Sequence, residues 1–202
     1  MDGAGQLSFS GGWMEMSSPK AKGHHVFWCP QDFPDQFMAE WQVQNRHTKR
    51  GLCIVFFAAT GLNGEDIFAP SLSQRDGTFG QYTKGDLHNY HISYYANSPD
   101  QPGREIAHLR KNKGFYKVQT GEAGIPVDSK NIHTIQLIKD RGRIILHVDG
   151  RKVIDWTDDG IELGKILQEG KIGFRQMKWT QFAYRNFSVW ECISQPAGDT
   201  PR

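Results

Sequence analysis

The chain has 202 residues, with 24 Lys and Arg against 22 Asp and Glu and a formal net charge of +2. That balance supplies no field to attract nucleic acid or an anionic membrane surface. A chain of this length buries roughly 70% of its unfolded surface, so its fold needs no metal or disulfide, and Cys29, Cys53 and Cys192 form no Cys-x-x-Cys pair. No basic segment followed by an apolar run opens the sequence, and no apolar run approaches the roughly 20 residues of a membrane helix. The expectation is a cytoplasmic protein.

Apolar residues recur with a period close to two, the pattern of half-buried strands. In chain order, strands are predicted over 6–10, 13–17, 24–29, 37–43, 52–59, 89–96, 105–110, 116–121, 133–139, 143–148, 152–156, 171–176 and 184–191. Gly11-Gly12, Asn97-Ser98-Pro99-Asp100, Pro102-Gly103, Asp140-Arg141-Gly142 and Asp149-Gly150 separate them. Asp149-Gly150 is the strongest hairpin signal, because both residues accept the positive φ of a type I′ turn. Leu52 to Phe57 is apolar throughout and predicts a central strand covered on both sides. Only 161–168 reads as helical. Residues 195–202 read as a disordered tail after one domain, 1–194. More than ten strands without intervening helices predict an all-β fold, two antiparallel sheets packed face to face.

Several stretches carry a family likeness together: His25-Val26-Phe27-Trp28-Cys29-Pro30, Gly51 to Ala59, Gly64-Glu65-Asp66 with Pro70-Ser71-Leu72, Leu109 to Phe115, Leu137 to Asp140 and Gly170 to Met177. From Gly5 to Val189 the chain resembles the YesU-like family of bacterial proteins of unknown function. The resemblance implies a concanavalin A-like (lectin/glucanase) jelly roll whose concave sheet takes the sugar. It also implies a setting in the breakdown of pectin, chiefly rhamnogalacturonan. The Glu-x-Asp-x-x-Glu strand of the glucanase branch is absent.

Candidate site residues cluster at strand ends and along strand faces. Glu65 and Asp66 are adjacent carboxylates in a turn after a very apolar strand; Asp86, His88 and His91 form a second polar cluster. A glycosidase needs two carboxyl groups about 5.5 Å apart or more, and adjacent strand residues point to opposite faces; one of the two could pair with Asp86 or Glu40, and a hydrolytic route would use Glu65 with Asp86 or Asp66. A lyase would use His88 or His91 as base, with Arg110 neutralising a uronate carboxylate through a guanidinium fork. His25, Trp28, Tyr90, Lys111, Lys113, Arg175, Gln176 and Trp179 are candidate substrate contacts, Trp28 and Trp179 as stacking platforms. His88 and His91 lie on opposite strand faces, which argues against a shared metal. A structural calcium is expected, if anywhere, at the acidic turn Asp158-Asp159. The partner is an oligosaccharide containing uronate, and the reading divides between an enzyme, lyase or hydrolase, and a non-catalytic sugar-binding sandwich.

Overall fold

The computed structural model describes residues 1–18, 23–47, 50–98 and 102–192. In chain order its strands are β1 (Asp2–Gly3), β2 (Gln6–Ser10), β3 (Trp13–Ser17), β4 (His25–Trp28), β5 (Gln36–Asn45), β6 (Gly51–Gly61) and β7 (Leu87–Asn97). They continue as β8 (Ile106–Asn112), β9 (Tyr116–Ala123), β10 (Ile132–Asp140), β11 (Arg143–Val148), β12 (Arg151–Thr157), β13 (Lys171–Gln176) and β14 (Gln181–Glu191). Among the described residues a single short helix, α1, spans Gly80–Thr83.

Two seven-stranded antiparallel sheets form a jelly-roll sandwich of the concanavalin A-like type. The first runs β1-β4-β13-β6-β7-β8-β9 and the second β12-β11-β10-β5-β14-β3-β2. Their inner faces close on one core. Cys53, Val55 and Phe57 of β6 and Tyr90, Ile92 and Tyr94 of β7 pack with Phe37, Ala39, Trp41 and Val43 of β5. Strand β5 alternates half-buried and buried without a break, so its other face, with Glu40, Gln42 and Gln44, is polar. The Asp149-Gly150 hairpin forms with φ of 51° and 75° and pairs β11 with β12.

The outer face of the first sheet is different. Val26, Trp28, Ile54, Phe56, Ile67, Tyr82 and Leu87 make a second apolar cluster there, because residues 62–86 fold back over β4 and β6. This explains the unbroken burial of residues 53–59 in β6. Trp28 stacks on Phe56 at 5.6 Å and Phe56 on Tyr82 at 5.4 Å; each buried ring contributes about 2–3 kcal/mol by area alone. Asp2 ties the layer down by accepting hydrogen bonds from Trp28 Nε1 (2.9 Å), Arg75 Nε (2.9 Å) and Tyr82 Oη (3.1 Å).

One element corrects the sequence reading. Residues 161–168 contain no helix; they form turns and extended chain. Asp159 accepts from the N–H groups of Ile161 and Glu162, Gly160 and Gly164 take positive φ, and Leu167 N–H donates to the buried Tyr90 hydroxyl. Tertiary anchors of this kind override the weak helical bias of a short segment. The tail at 195–202 lies outside the described residues.

Candidate functional site

Four strands that carry candidate residues lie in the first sheet: β4 beside β13 and, beyond β6, β7 beside β8. Where residues 62–86 stop covering that sheet, a cleft of about 200 Å³ opens on its outer face. Strand register builds its floor, since His91 of β7 sits opposite Arg110 of β8 and Ser93 opposite His108. Phe79, just before α1, and Phe115, in the β8–β9 turn, form one wall with ring centroids 5.4 Å apart. Phe115 adopts φ 61°, an uncommon conformation for a bulky residue. His91 lies among these rings, 5.6 Å from Phe79 and stacked at 6.0 Å on Phe115, with its Nδ1 2.8 Å from the Asn112 amide.

Three guanidiniums converge on this cleft. Arg110 stacks 3.8 Å over the Phe115 ring and donates to Phe115 O at 3.0 Å. Arg104 donates to Ser93 Oγ at 2.8 Å and contacts His108 Nδ1. Arg175 of β13 is 2% exposed beneath Phe79, 4.4 Å from the ring. Among the described residues none of the three pairs with a carboxylate, and the Nε atoms of Arg104 and Arg175 are buried without a partner. Among the described residues the cleft lining contains no Asp or Glu.

The titration of the cleft follows from burial first and from that gathering of positive charge second. Burial, reinforced by Arg110, Arg175 and Arg104, pushes His91 well below its ordinary range. Burial together with Arg104, Lys117 and Arg110 brings His108 down to about 4. Desolvation also lowers the arginines, Arg175 to about 10. The imidazoles therefore remain neutral near pH 7 and the guanidiniums remain charged. Such a surface accepts an anion, hydrogen-bonds hydroxyls and stacks flat apolar faces.

Each candidate carboxylate is engaged by a partner of its own. Glu65 accepts from the backbone and side-chain N–H of Asn63 (2.8 and 2.9 Å), which lowers its pKa and makes it a turn cap. Asp66 accepts from Phe68 N–H at 2.8 Å and pairs at 2.9 Å with Lys171, which also binds Asp32 at 2.7 Å. Asp86 accepts from Ser73 N–H at 3.1 Å beside a separate small cavity. Each of these carboxylates is thus engaged within its own loop, and none of them lines the cleft.

Several other candidates do not reach the cleft. Lys111, next to Arg110, points the opposite way into the protein, where it pairs with Asp158 at 2.7 Å and donates to Gly164 O at 2.8 Å. Tyr90 also faces inward and donates to Asp158. Asp158 is consequently an internal counter-ion and Asp159 a turn cap, and no group of three His, Cys, Asp or Glu among the described residues is placed to hold a metal. Trp28 is 4% exposed within the outer apolar cluster and offers no stacking face. His25 shares the inward side of β4 with Phe27 and meets Ser18 Oγ at 2.9 Å. The Gln176 amide lies 3.1 Å from the buried Tyr184 hydroxyl. His88 Nδ1 lies 3.4 Å from Asn112 O, and Lys113 is exposed at the β8–β9 turn. Trp179, at φ 71°, lines a different cavity of about 420 Å³, with Lys178 Nζ 4.2 Å and Arg50 Cζ 5.6 Å from its ring.

Arg104, Phe79, Phe115 and Ser93 were not among the candidates. Parity on β8 puts His108 and Arg110 on one strand face, whereas Arg104 lies in the loop before that strand and no local pattern marks it. A further constellation, Ser129–His133–Asp149, has the connectivity of a nucleophilic triad, with Ser Oγ to Nε2 and Nδ1 to Oδ2 both 2.6 Å. Ser129 Oγ already accepts from Asn131 N–H, and the Asp149 side chain is 44% exposed at a hairpin tip. It joins the 124–131 loop to the β11–β12 turn.

Known proteins share this architecture. The protein described as uncharacterized protein YesU from Bacillus subtilis strain 168 is 37% identical over 196 residues, which is 96% of this chain and 89% of that protein. The crystal structure of a Bacillus subtilis protein of unknown function with a galectin-like fold matches at TM-score 0.91 and 36% identity, covering 96% of this chain and 89% of the other. Remoter likenesses concern the fold alone. The carbohydrate binding module CBM66 from Bacillus subtilis matches at TM-score 0.57 and 12% identity, over 93% and 92% of the two chains. The VIP36 exoplasmic/lumenal domain, in a form with calcium and Man3GlcNAc bound, matches at TM-score 0.67 and 10% identity, over 96% and 84%. The resemblance read from the sequence therefore holds at the level of family and fold. With its family profile matched across residues 1–189, the chain belongs to the family described as Domain of unknown function (DUF1961).

Proposed function

We propose that the outer face of the first sheet is a carbohydrate-binding surface, and that its ligand is a uronate-bearing oligosaccharide derived from pectin, of the rhamnogalacturonan kind. The observation that carries this reading is the group Arg104, Arg110 and Arg175, gathered around one cleft without a carboxylate partner among the described residues. Arginine forks bind carboxylates with two parallel hydrogen bonds. The Phe79 and Phe115 rings offer stacking faces for sugar C–H groups, and Ser93 a hydroxyl beside the charge. Two structures of similar fold bear names that speak of carbohydrate, the module CBM66 and the VIP36 domain with its bound mannose-containing glycan. The action proposed is binding without turnover. Calorimetry with saturated pectic oligosaccharides should give a saturable heat that Arg110→Gln reduces at least about tenfold, or about 1.4 kcal/mol. Absence of binding across acidic and neutral pectic oligomers would remove the proposal.

One arrangement favours a second reading, β-elimination. His91 is neutral and lies on the cleft floor opposite Arg110. It would take the proton from the carbon bearing the uronate carboxylate while Arg110 stabilises the resulting charge, and the glycosidic oxygen would leave from the adjacent carbon. The product is an unsaturated uronate, so rising ultraviolet absorbance during incubation would establish this reading over simple binding. The hydrolytic reading has no such support: Glu65, Asp66 and Asp86 are each engaged in a turn or ion pair, and none of them lines the cleft.

A further inference from the structure

We infer that the open side of the sandwich, formed by β2 and the mouth of an apolar cavity beside it, is an interface with a second copy of this chain, the two β2 strands pairing antiparallel about Ser8. The cavity shares no lining residue with the sugar cleft, and the inference is independent of the reading given to that cleft.

A bare sheet edge is a template for pairing with another chain. Three of the four edges here are protected. On one side of the sandwich β9 and β12 close on each other: the Gln119 amide donates to Asp155 O and accepts from Asp155 N–H, both at 3.2 Å. Arg151 donates to Ala123 O at 3.4 Å and to Gly124 O at 3.3 Å. Lys117, Glu122, Arg151 and Lys152 add charge to these two strands. On the other side, β1 is only two residues long. β2 has none of these devices. It runs from Gln6 to Ser10 without charge or proline, and among the described residues its strand partner is β3 alone.

The apolar surface beside β2 has a structural cause. β1 reaches only His25 and Val26 of β4, so the first sheet stops short of Phe27. A cavity of about 640 Å³ opens there, with Phe27, Phe174, Tyr184, Trp13, Met14 and Phe187 in its lining. Phe9, which also lines it, is 72% exposed. Strand parity nevertheless puts Phe9 on the same face as Leu7, which packs against the core. Phe9 is thus a core-facing residue for which the fold supplies no opposite layer.

Charge selects the occupant. A patch that meets its own copy across a two-fold axis brings like charges face to face, so it must be close to neutral. Among the described residues Arg185 is the one charged residue of the cavity lining, and its guanidinium is already engaged by Gln42 Oε1 at 2.7 Å and by the Trp13 ring at 4.3 Å. β2 itself is uncharged. Antiparallel pairing about Ser8 sets Phe9 opposite the partner's Leu7 and preserves the alternation of faces, so the apolar side chains of both copies stay on the core side. They then cover both cavity mouths, and the two second sheets join into one.

The test is the mass of the intact chain by sedimentation velocity over a rising series of concentrations, read beside maleimide modification of Cys29, a half-buried free thiol in the cavity lining. The mass should pass from one chain to two, and Cys29 should react more slowly as it does so. Phe9→Glu would bury a carboxylate against the partner's Leu7, and Ser8→Glu would set two carboxylates directly opposite each other. Each should weaken association at least about a hundredfold. Lys117→Glu, on the closed side, should leave the series unchanged. A parent chain that stays single at every concentration would overturn the inference, and anilinonaphthalene sulfonate binding to that single chain would make the cavity a small-molecule site instead. A dimer that survives both β2 substitutions, that is lost in Lys117→Glu, or whose Cys29 reacts as fast as in the single chain would overturn it too, because the copies would then meet elsewhere. Phe9 and Ser8 are both exposed, so thermal melts of their variants should match the parent; where one fails to fold, the other decides.

Discussion

Arg110 and Lys111 are neighbours on β8, yet they occupy opposite electrostatic situations. Lys111 points into the sandwich and finds a carboxylate at 2.7 Å and a carbonyl at 2.8 Å, with Tyr90 completing the shell of Asp158. Arg110 points outward, stacks on a ring and donates to one carbonyl, with no counter-ion among the described residues. The inner cation closes the 158–170 segment onto the sheet and serves stability. The outer one is held in place by packing yet left electrostatically incomplete, as suits a group awaiting a ligand.

The largest expected effect breaks the inner member. Asp158→Ala leaves a buried ammonium uncompensated and should cost about 3–5 kcal/mol in urea unfolding, whereas the double variant Lys111→Met with Asp158→Asn should recover most of the loss. Arg110→Gln should stay within about 1 kcal/mol of the parent in the same assay, since no counter-ion is left stranded. A loss from Arg110→Gln as large as that from Asp158→Ala would show that the outer cation is structural after all.

Acid should expose the outer surface next. His24 and His108 are each brought from 6.5 to about 4, foremost by burial. Between those values the unfolded chain takes up protons that the folded chain refuses. Their contribution to stability is therefore complete above about pH 6.5 and is lost as pH falls toward about 4. His91 acts with the same sign. Unfolding free energy measured from about pH 7 down to about 4.5 should decline, and His108→Gln should flatten part of the slope. A level profile would mean that the cleft is not desolvated.

The smallest effects belong to the loop carboxylates. Asp66→Asn should cost about 1 kcal/mol or less, because Asp32 still holds Lys171 and the Asp66 side chain is partly exposed. Glu65→Gln should leave oligosaccharide affinity unchanged in calorimetry, since Glu65 caps a turn outside the cleft. A loss of affinity in Glu65→Gln would move the ligand toward the 62–72 loop.

The legibility of the site varied with the range of the interactions that make it. Arg110 and His91 could be selected because strand parity is local and both carry chemistry suited to a uronate. Trp28 reads equally well as a platform or as core, and only the return of residues 62–86 over the sheet, which places Tyr82 and Ile67 over Trp28 and Phe56, decides for core. Glu65 and Asp66 drew attention as crowded charge; Asn63 and Lys171 account for them, the first through a two-residue turn and the second from more than a hundred residues away. Arg104 follows a plain turn and was passed over, since its significance depends on tertiary contacts with Ser93 and His108.

By itself the sequence determined what repeats locally: strands from a period of two, the Asp149-Gly150 hairpin from the positive φ both residues accept, and the all-β layering from the lack of helical period. Its family stretches determined the jelly roll. The tertiary structure alone decided which strands became neighbours, for β13 pairs with β4 and β6 across more than a hundred residues of chain. It also decided which cations acquired counter-ions. An ion pair is a relation between side chains distant in sequence, so a list of residues contains the charges of Arg110 and Lys111 but not the difference between them.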